Sequence, residues 1–192
     1  ADAVDAAAAR GARLGPLAGL PMLAKEVHDV EGLPSTQGSL VYADAAPAAR
    51  DCLHISRLRG AGAIVVGKTN IPEFCFEGFS ANLVFGVTRN PWAPEWSPGG
   101  SSGGSAAAMA AGYAPLATAS DGGGSIRIPA AFCGLAGIKP SHGLVPREGT
   151  PSWMDFTTDG PLGTTVAALR VLLAVEAGPA HGDPVVLPAG SV

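Results

Sequence analysis

Residues 99–129 read GGSSGGSAAAMAAGYAPLATASDGGGSIRIP, and the fold assigned to the chain turns on how this stretch is understood. Two glycine-serine knots, at 99–105 and 122–125, bracket an alanine-rich run and a short apolar segment. Glycine permits a positive φ and lets the backbone approach another atom closely. A helix that begins directly after such a knot aims unpaired N–H groups at whatever lies there. The stretch therefore joins several hydroxyls to a cradle of backbone donors. That equipment suits a bound anion, or an oxygen that becomes an anion during a reaction.

The flanking sequence indicates an α/β protein. Upstream, AIVVGK (63–68) is a short β-branched run, predicted as a buried strand. Before it, ARDCLHISRLRG (49–60) repeats apolar positions at Cys52, Ile55 and Leu58, the i, i+3 rhythm of a helix, and Gly60 and Gly62 stop it. GLPMLAKEVHDV (19–30) reads as another strand. This strand–helix–strand succession is the βαβ signature. Lys25 sits inside the first strand, where burial of a lysine is rare; on spacing alone, an edge strand with Lys25 in solvent is the favoured reading. At the start, residues 2–13 are alanine-rich, carry Asp early and read as a helix ended by Gly15 and Pro16.

Residues 31–48 form a Gly/Pro/Ser/Thr loop, and 69–98 an aperiodic excursion rich in proline and aromatics that shapes a site rather than a core. After the glycine-serine stretch, residues 132–143 are predicted as a short strand closed by Pro140, followed by a Gly/Pro/Thr-rich link. TTVAALRVLLAVEAG (164–178) is an amphipathic helix through Val166, Leu169, Leu172, Leu173 and Val175. The organisation expected is a single domain over 1–192. It comprises an N-terminal helix within 1–18, a catalytic core over 19–178, and a linker or truncated continuation over 179–192.

Composition narrows the partners. With 192 residues, 47% apolar and 15% charged, the chain can bury a substantial core. A net charge of −4 with scattered Lys and Arg argues against nucleic acid and against a basic membrane-binding face. Cys52, Cys75 and Cys133 are too few and too far apart for a disulfide framework or a zinc pattern, so they read as buried thiols in a reducing compartment. No apolar run approaches the ~20 residues of a membrane helix, and no secretory leader opens the chain, so a cytoplasmic location is expected. The first residue is Ala rather than Met, which points to a processed or cut start.

Three chemistries could use the glycine-serine stretch. Phosphate binding through G-x-x-x-x-G-K-[ST] is disfavoured, because no lysine follows the glycines. Gly99 to Gly103 does match the nucleophile-elbow pattern G-x-S-x-G at Ser101. Asp121, Asp155 or Asp159 with His142 or His181 could complete a triad, although Pro98 sits poorly in a strand leading into such an elbow. The third needs no histidine. A desolvated lysine loses its proton readily and serves as a base, with one serine relaying the proton from another. Lys25, Ser101 and Ser125 supply those parts, and Gly122, Gly123 and Gly124 supply N–H groups for an oxyanion.

The sequence closely resembles the amidase signature family. GGSSGGSAAAMAAG followed by SDGGGSIRIPAAFCGLAGIKPS is similar to that family's glycine-serine signature. GLPMLAKEVHDVEGLPSTQGS is similar to its lysine-bearing strand and loop; AGAIVVGKTNIPEF, FGVTRNPW and DGPLGTTVAALRVLLAVEAG match further segments. The resemblance implies a mixed β-sheet flanked by helices, here without the later half of a chain more than twice this long. If it stands alone, such a chain exposes a sheet edge, or pairs as a homodimer.

The resemblance also implies amide hydrolysis through a serine acyl-enzyme. Ser125 takes the place of the nucleophile, Ser101 that of the relay serine reached through a cis peptide, and Lys25 that of the base. Ser102, Asp121 and Arg127 stand as supporting residues: Ser102 in the triad network, Asp121 and Arg127 as a clamp beside the nucleophile. No metal or cofactor is called for, and the partner is a small-molecule amide. The A-type component of an amidotransferase usually has SIRQPA after the nucleophile; Ile128 in SIRIPA points instead to a free-standing amidase. An incomplete, inactive scaffold is the reading of a different class. His28 and His142 read as structural or surface residues, Cys133 as core. Trp92, Trp96, Phe74 and Phe76 read equally as an acyl pocket or as packing.

Overall fold

The computed structural model describes residues 1–148 and 157–180. A five-stranded mixed sheet carries the architecture. Strand β1 (Pro21–Lys25) pairs in parallel with β2 (Ile64–Thr69) on one side and β5 (Leu116–Asp121) on the other. Strand β7 (Thr158–Gly163) runs antiparallel to β5, and the two-residue β6 (Ala136–Gly137) closes the order β2-β1-β5-β7-β6. A small hairpin of β3 (Ala81–Asn82) and β4 (Gly86–Val87) stands apart within the long excursion. The α/β class with a mixed sheet flanked by helices is therefore observed.

Helices cover both faces. On one lie α3 (Gly103–Ala110) and α4 (Arg127–Cys133), packed through Ala106, Met109, Ala130 and Cys133 onto Leu23, Ala117, Ala119 and Leu162. On the other lie α2 (Leu53–Gly60) and α5 (Val166–Glu176), packed through Ile55, Leu58 and Leu172 onto Met22, Ala24 and Leu116. The period-2 alternation of a strand produces this division: Met22 and Ala24 face one layer, Leu23 the other. Alanines on α3 let it lie close against the sheet, and every residue of β5 is buried. The N-terminal helix α1 (Asp2–Ala9) buries none of its residues and so makes no part of this core.

Several sequence expectations change. Lys25 is on an interior strand and fully buried, not on an edge in solvent. The strand expected over 19–30 ends at Lys25, because the chain turns: the Glu26 carboxylate accepts the backbone N–H groups of Thr36 and Gln37, and His28 N bonds back to Lys25 O at 2.9 Å. The strand expected over 132–143 shrinks to two residues because α4 occupies the preceding stretch, ending at Gly134 with φ 70°. The sequence TDGPLG, expected within a link, is the buried strand β7. Glycine and proline hide its period, yet a Cβ at Gly160 would lie 2.8 Å from Ile138 O, so close packing excludes a larger residue. Asp155, His181 and residues 181–192 of the expected tail lie outside the described residues.

Candidate active site

The C-terminal ends of β1 and β5 lie side by side, and the glycine-serine knots sit over them. Lys25 is the last residue of β1 and is entirely removed from solvent. Its Nζ lies 2.8 Å from Ser101 Oγ, 2.8 Å from Ser120 Oγ and 3.4 Å from the Ser120 carbonyl oxygen. Burial pulls the Lys25 pKa down from its usual 10.5, outweighing Cys75, Asp159 and Asp121, which act in the opposite sense. Lys25's own N–H donates to Thr118 Oγ1 at 2.9 Å, tying the end of β1 to β5.

Ser101 is also buried and follows a cis Gly100–Ser101 peptide bond. The knot can thread here only as glycine: a Cβ on Gly100 would come within 2.7–2.8 Å of the backbone of Phe79 and Glu77. Ser80 fastens the same turn, donating to Gly99 O at 3.1 Å and accepting from Gly103 N at 3.0 Å. Ser102 links the two knots through its N–H, which reaches Ser125 O at 3.3 Å, and its hydroxyl lies 3.5 Å from Ser120 O.

The second knot is shaped by Asp121. Its carboxylate accepts from Gly124 N at 2.7 Å and Ile126 N at 3.1 Å, and Arg127 grips it with Nε at 2.9 Å and Nη2 at 3.0 Å. Burial alone would raise the Asp121 pKa, but the bonds from Arg127, Ile126 and Gly124 hold it below the usual carboxylate value. Gly124 adopts φ 125°, open only to glycine, which carries Ser125 over the strand end. Because the Gly124 N–H is committed to Asp121, Gly122 and Gly123 are the glycines of this knot that face the cavity.

That cavity has a volume of about 560 Å³. Ser101, Ser120, Ser125, Gly122 and Gly123 line one side; Phe74, Phe76 and Ile128 line an apolar side. Ser125 is half-buried, so its hydroxyl is reachable where Lys25 is not. Trp92 and Trp96 are largely exposed and take no part in the lining, while Trp92 Nε1 donates to Cys133 O at 2.9 Å. Cys133 is core, its thiol pushed up to about 11 by burial. No histidine among the described residues lines this cavity. His28 is buried against Thr118 and Asp159, and burial pushes its pKa down to about 4.

Lys25 beside Ser101, with Ser125, Gly122 and Gly123 on a shared cavity, makes up the set of residues that the sequence resemblance singles out; the Ser120 hydroxyl beside Lys25 is an addition to it. The Amidase family model matches residues 1–189. The chain belongs to the amidase signature family. It is 44% identical over 175 residues to an acylamidase of Rhodococcus erythropolis, covering 91% of this chain and 36% of that one. It is 46% identical over 179 residues to the A-type component of the glutamyl-tRNA(Gln) amidotransferase of Rhodopirellula baltica, covering 93% and 36%. The structure of a bacterial aryl acylamidase of the amidase signature family superposes with a TM-score of 0.91 at 37% identity, covering 97% and 39%. The chain thus spans little more than a third of the length of these amidase signature relatives.

Ser120 is the site residue that sequence reasoning missed. It was hidden because the signature directs attention to the serines inside the knots. Its place at the end of a buried strand, immediately before Asp121, is the signal that could have found it. Cys75, which lines the cavity and acts on Lys25, was likewise read only as a buried thiol.

Proposed function

We propose that this chain carries the acyl-transfer centre of a serine amidase, hydrolysing a small-molecule amide to an acid and an amine or ammonia. The observation that carries the reading is the buried Lys25 amine 2.8 Å from Ser101 Oγ, on a cavity shared with Ser125. A neutral amine has two N–H groups and one lone pair. The Ser120 carbonyl can only accept; with the Ser120 hydroxyl accepting the second N–H, beside Cys75, the lone pair is left for the Ser101 O–H. Ser120 thereby positions Lys25 as a base.

In the proposed reaction Lys25 takes the Ser101 proton as Ser101 takes the Ser125 proton. Ser125 Oγ attacks the amide carbonyl carbon, and its electron pair moves to the oxygen. Gly122 and Gly123 N–H groups stabilise that oxyanion; one such donor is worth about 3 kcal/mol. Collapse breaks the C–N bond, and the relay returns the proton to the leaving nitrogen. Water then cleaves the acyl-enzyme by the same route. The scheme calls on no cofactor. Asp121 and Arg127 act on it indirectly, by holding the loop that presents Ser125. A fluorophosphonate probe is expected to label Ser125, and Ser125→Ala to abolish labelling. Labelling at Ser101 instead would favour the elbow reading, and a folded chain that stays unlabelled would favour an inactive scaffold.

A further inference from the structure

A second group of chemically capable side chains adjoins the serine-lysine site through Thr118, where α2 and α5 approach β7. One ligand atom from each of His28, His54 and Asp159 lies within 4.8 Å of the other two, and all three residues are buried. His28 Nε2 is 3.2 Å from Asp159 Oδ1, while its Nδ1 is 2.7 Å from Thr118 Oγ1. Arg147 Nε donates to Asp159 Oδ2 at 3.0 Å, leaving Oδ1 directed at His28. His54 Nε2 lies 3.0 Å from Glu176 Oε1 in an ion-pair contact, but neither these two atoms nor His54 Nδ1 and Glu176 Oε2, all buried, has a hydrogen-bond partner among the described residues. The proposed amide chemistry uses neither His54 nor Glu176.

An orphaned imidazole nitrogen in a protein interior costs about 1–3 kcal/mol, so its presence calls for a partner that the side chains do not supply. His28 is already oriented as metal-bound imidazoles are: one ring nitrogen is settled on a hydroxyl, the other turned to the carboxylate. His54 has the Glu176 carboxylate at ion-pair distance on its Nε2 side, within reach of the outer bond that a second metal-bound imidazole makes. A cleft of about 390 Å³, lined also by Arg50, Cys52 and Glu148, leads to His28, His54 and Asp159 and supplies an entry path.

We propose that His28, His54 and Asp159 bind one divalent transition-metal ion, with zinc the best match and the fourth position open to the cleft. Two imidazoles and one carboxylate are a donor set that zinc takes with a solvent ligand. Calcium and magnesium prefer oxygen ligands throughout and fit it poorly. Zinc at ~2.1 Å from each ligand would set the three donor atoms about 3.4 Å apart, which leaves His28 Nε2 and Asp159 Oδ1 close to their present 3.2 Å and draws His54 inward within the reach of side-chain torsions.

Equilibrium dialysis of the purified protein against zinc chloride, followed by metal analysis, is expected to show about one zinc per chain. His54→Gln keeps an amide N–H for Glu176 while removing the ligand, and is expected to weaken zinc binding about 100-fold. His28→Asn tests a second ligand in a different element, and circular dichroism confirms that each variant is folded. Cobalt(II) is expected to give the visible absorption of a low-coordinate site in the wild type and not in either variant. Equal zinc uptake by wild type and both folded variants, or no zinc retained by the wild type, would show a buried ion-pair cluster only and overturn the proposal.

Discussion

Replacing Lys25 by methionine separates what the buried amine does for chemistry from what it does to stability. Methionine nearly matches the length of the stem and removes the ionisable group. For the reaction, losing a general base lowers the acylation rate by about 10²–10⁴-fold. For stability, the sign follows from the direction of the pKa shift. Lys25 has its pKa depressed below 10.5 in the fold by burial. Between the folded value and 10.5 the unfolded chain binds one more proton than the native state. Wild-type stability therefore contains a penalty that shrinks as pH rises through this window and is gone above 10.5. The slope is about 1.36 kcal/mol per pH unit for one proton. Lys25→Met has no such penalty, but it leaves the Ser101 and Ser120 hydroxyls without Nζ, at about 1 kcal/mol each. Urea unfolding of both proteins at stepped pH between 7 and 10.5 reads the difference, in which all other titrations cancel. The wild type is expected to gain on the variant as pH rises, approaching that slope. Two parallel stability profiles across this range would refute the reasoning, since they would mean that Lys25 ionises in the fold as it does in the unfolded chain.

The same shift predicts that fluorophosphonate labelling of Ser125 accelerates with pH and levels off with a midpoint below 10.5; a rate flat or falling over the alkaline range would remove Lys25 as the base. Asp121→Asn, which gives up the charged clamp on Arg127 and weakens the bonds from Gly124 and Ile126, is expected to cost about 2 kcal/mol in urea unfolding. It is also expected to slow labelling more than it weakens the fold elsewhere. Gly100→Ala places a methyl 2.7–2.8 Å from the Phe79 and Glu77 backbone and is expected to destabilise by about 1–3 kcal/mol in thermal denaturation; an unchanged melting curve would contradict the packing described.

The sequence disclosed the α/β class through the runs at 63–68 and 49–60, which became β2 and α2. The amphipathic stretch at 164–178 became α5 over Val166–Glu176. What stayed hidden was whatever depends on neighbours distant in the chain. TDGPLG has neither alternation nor β propensity, and becomes a strand because β5 on one side and β6 on the other pair with it. Lys25 looked like an edge residue because spacing carries no record of which strand lies next to which. Its identity as a site residue was legible only beside the serines of the two knots. Ser120 remained invisible for the opposite reason: nothing in SDGGGS marks the first serine until β5 is laid against β1. The glycines were legible as a group, but their division of labour was not, since it depends on the Asp121 carboxylate taking one N–H and leaving the others.

The polar atoms that move protons in the proposed reaction and the surfaces that would meet a substrate have different origins. Lys25 and Ser120 stand at the ends of adjoining interior strands, locked to each other and to Ser101. Phe74, Phe76 and Val27, by contrast, come from connections outside the sheet. Loops accept substitution and insertion far more readily than interior strands. Descendants of one ancestral chain could thus exchange the walls around the carbonyl while inheriting the proton path unaltered. A single proton path could in this way serve many amides, each new specificity costing the lineage only changes at the rim.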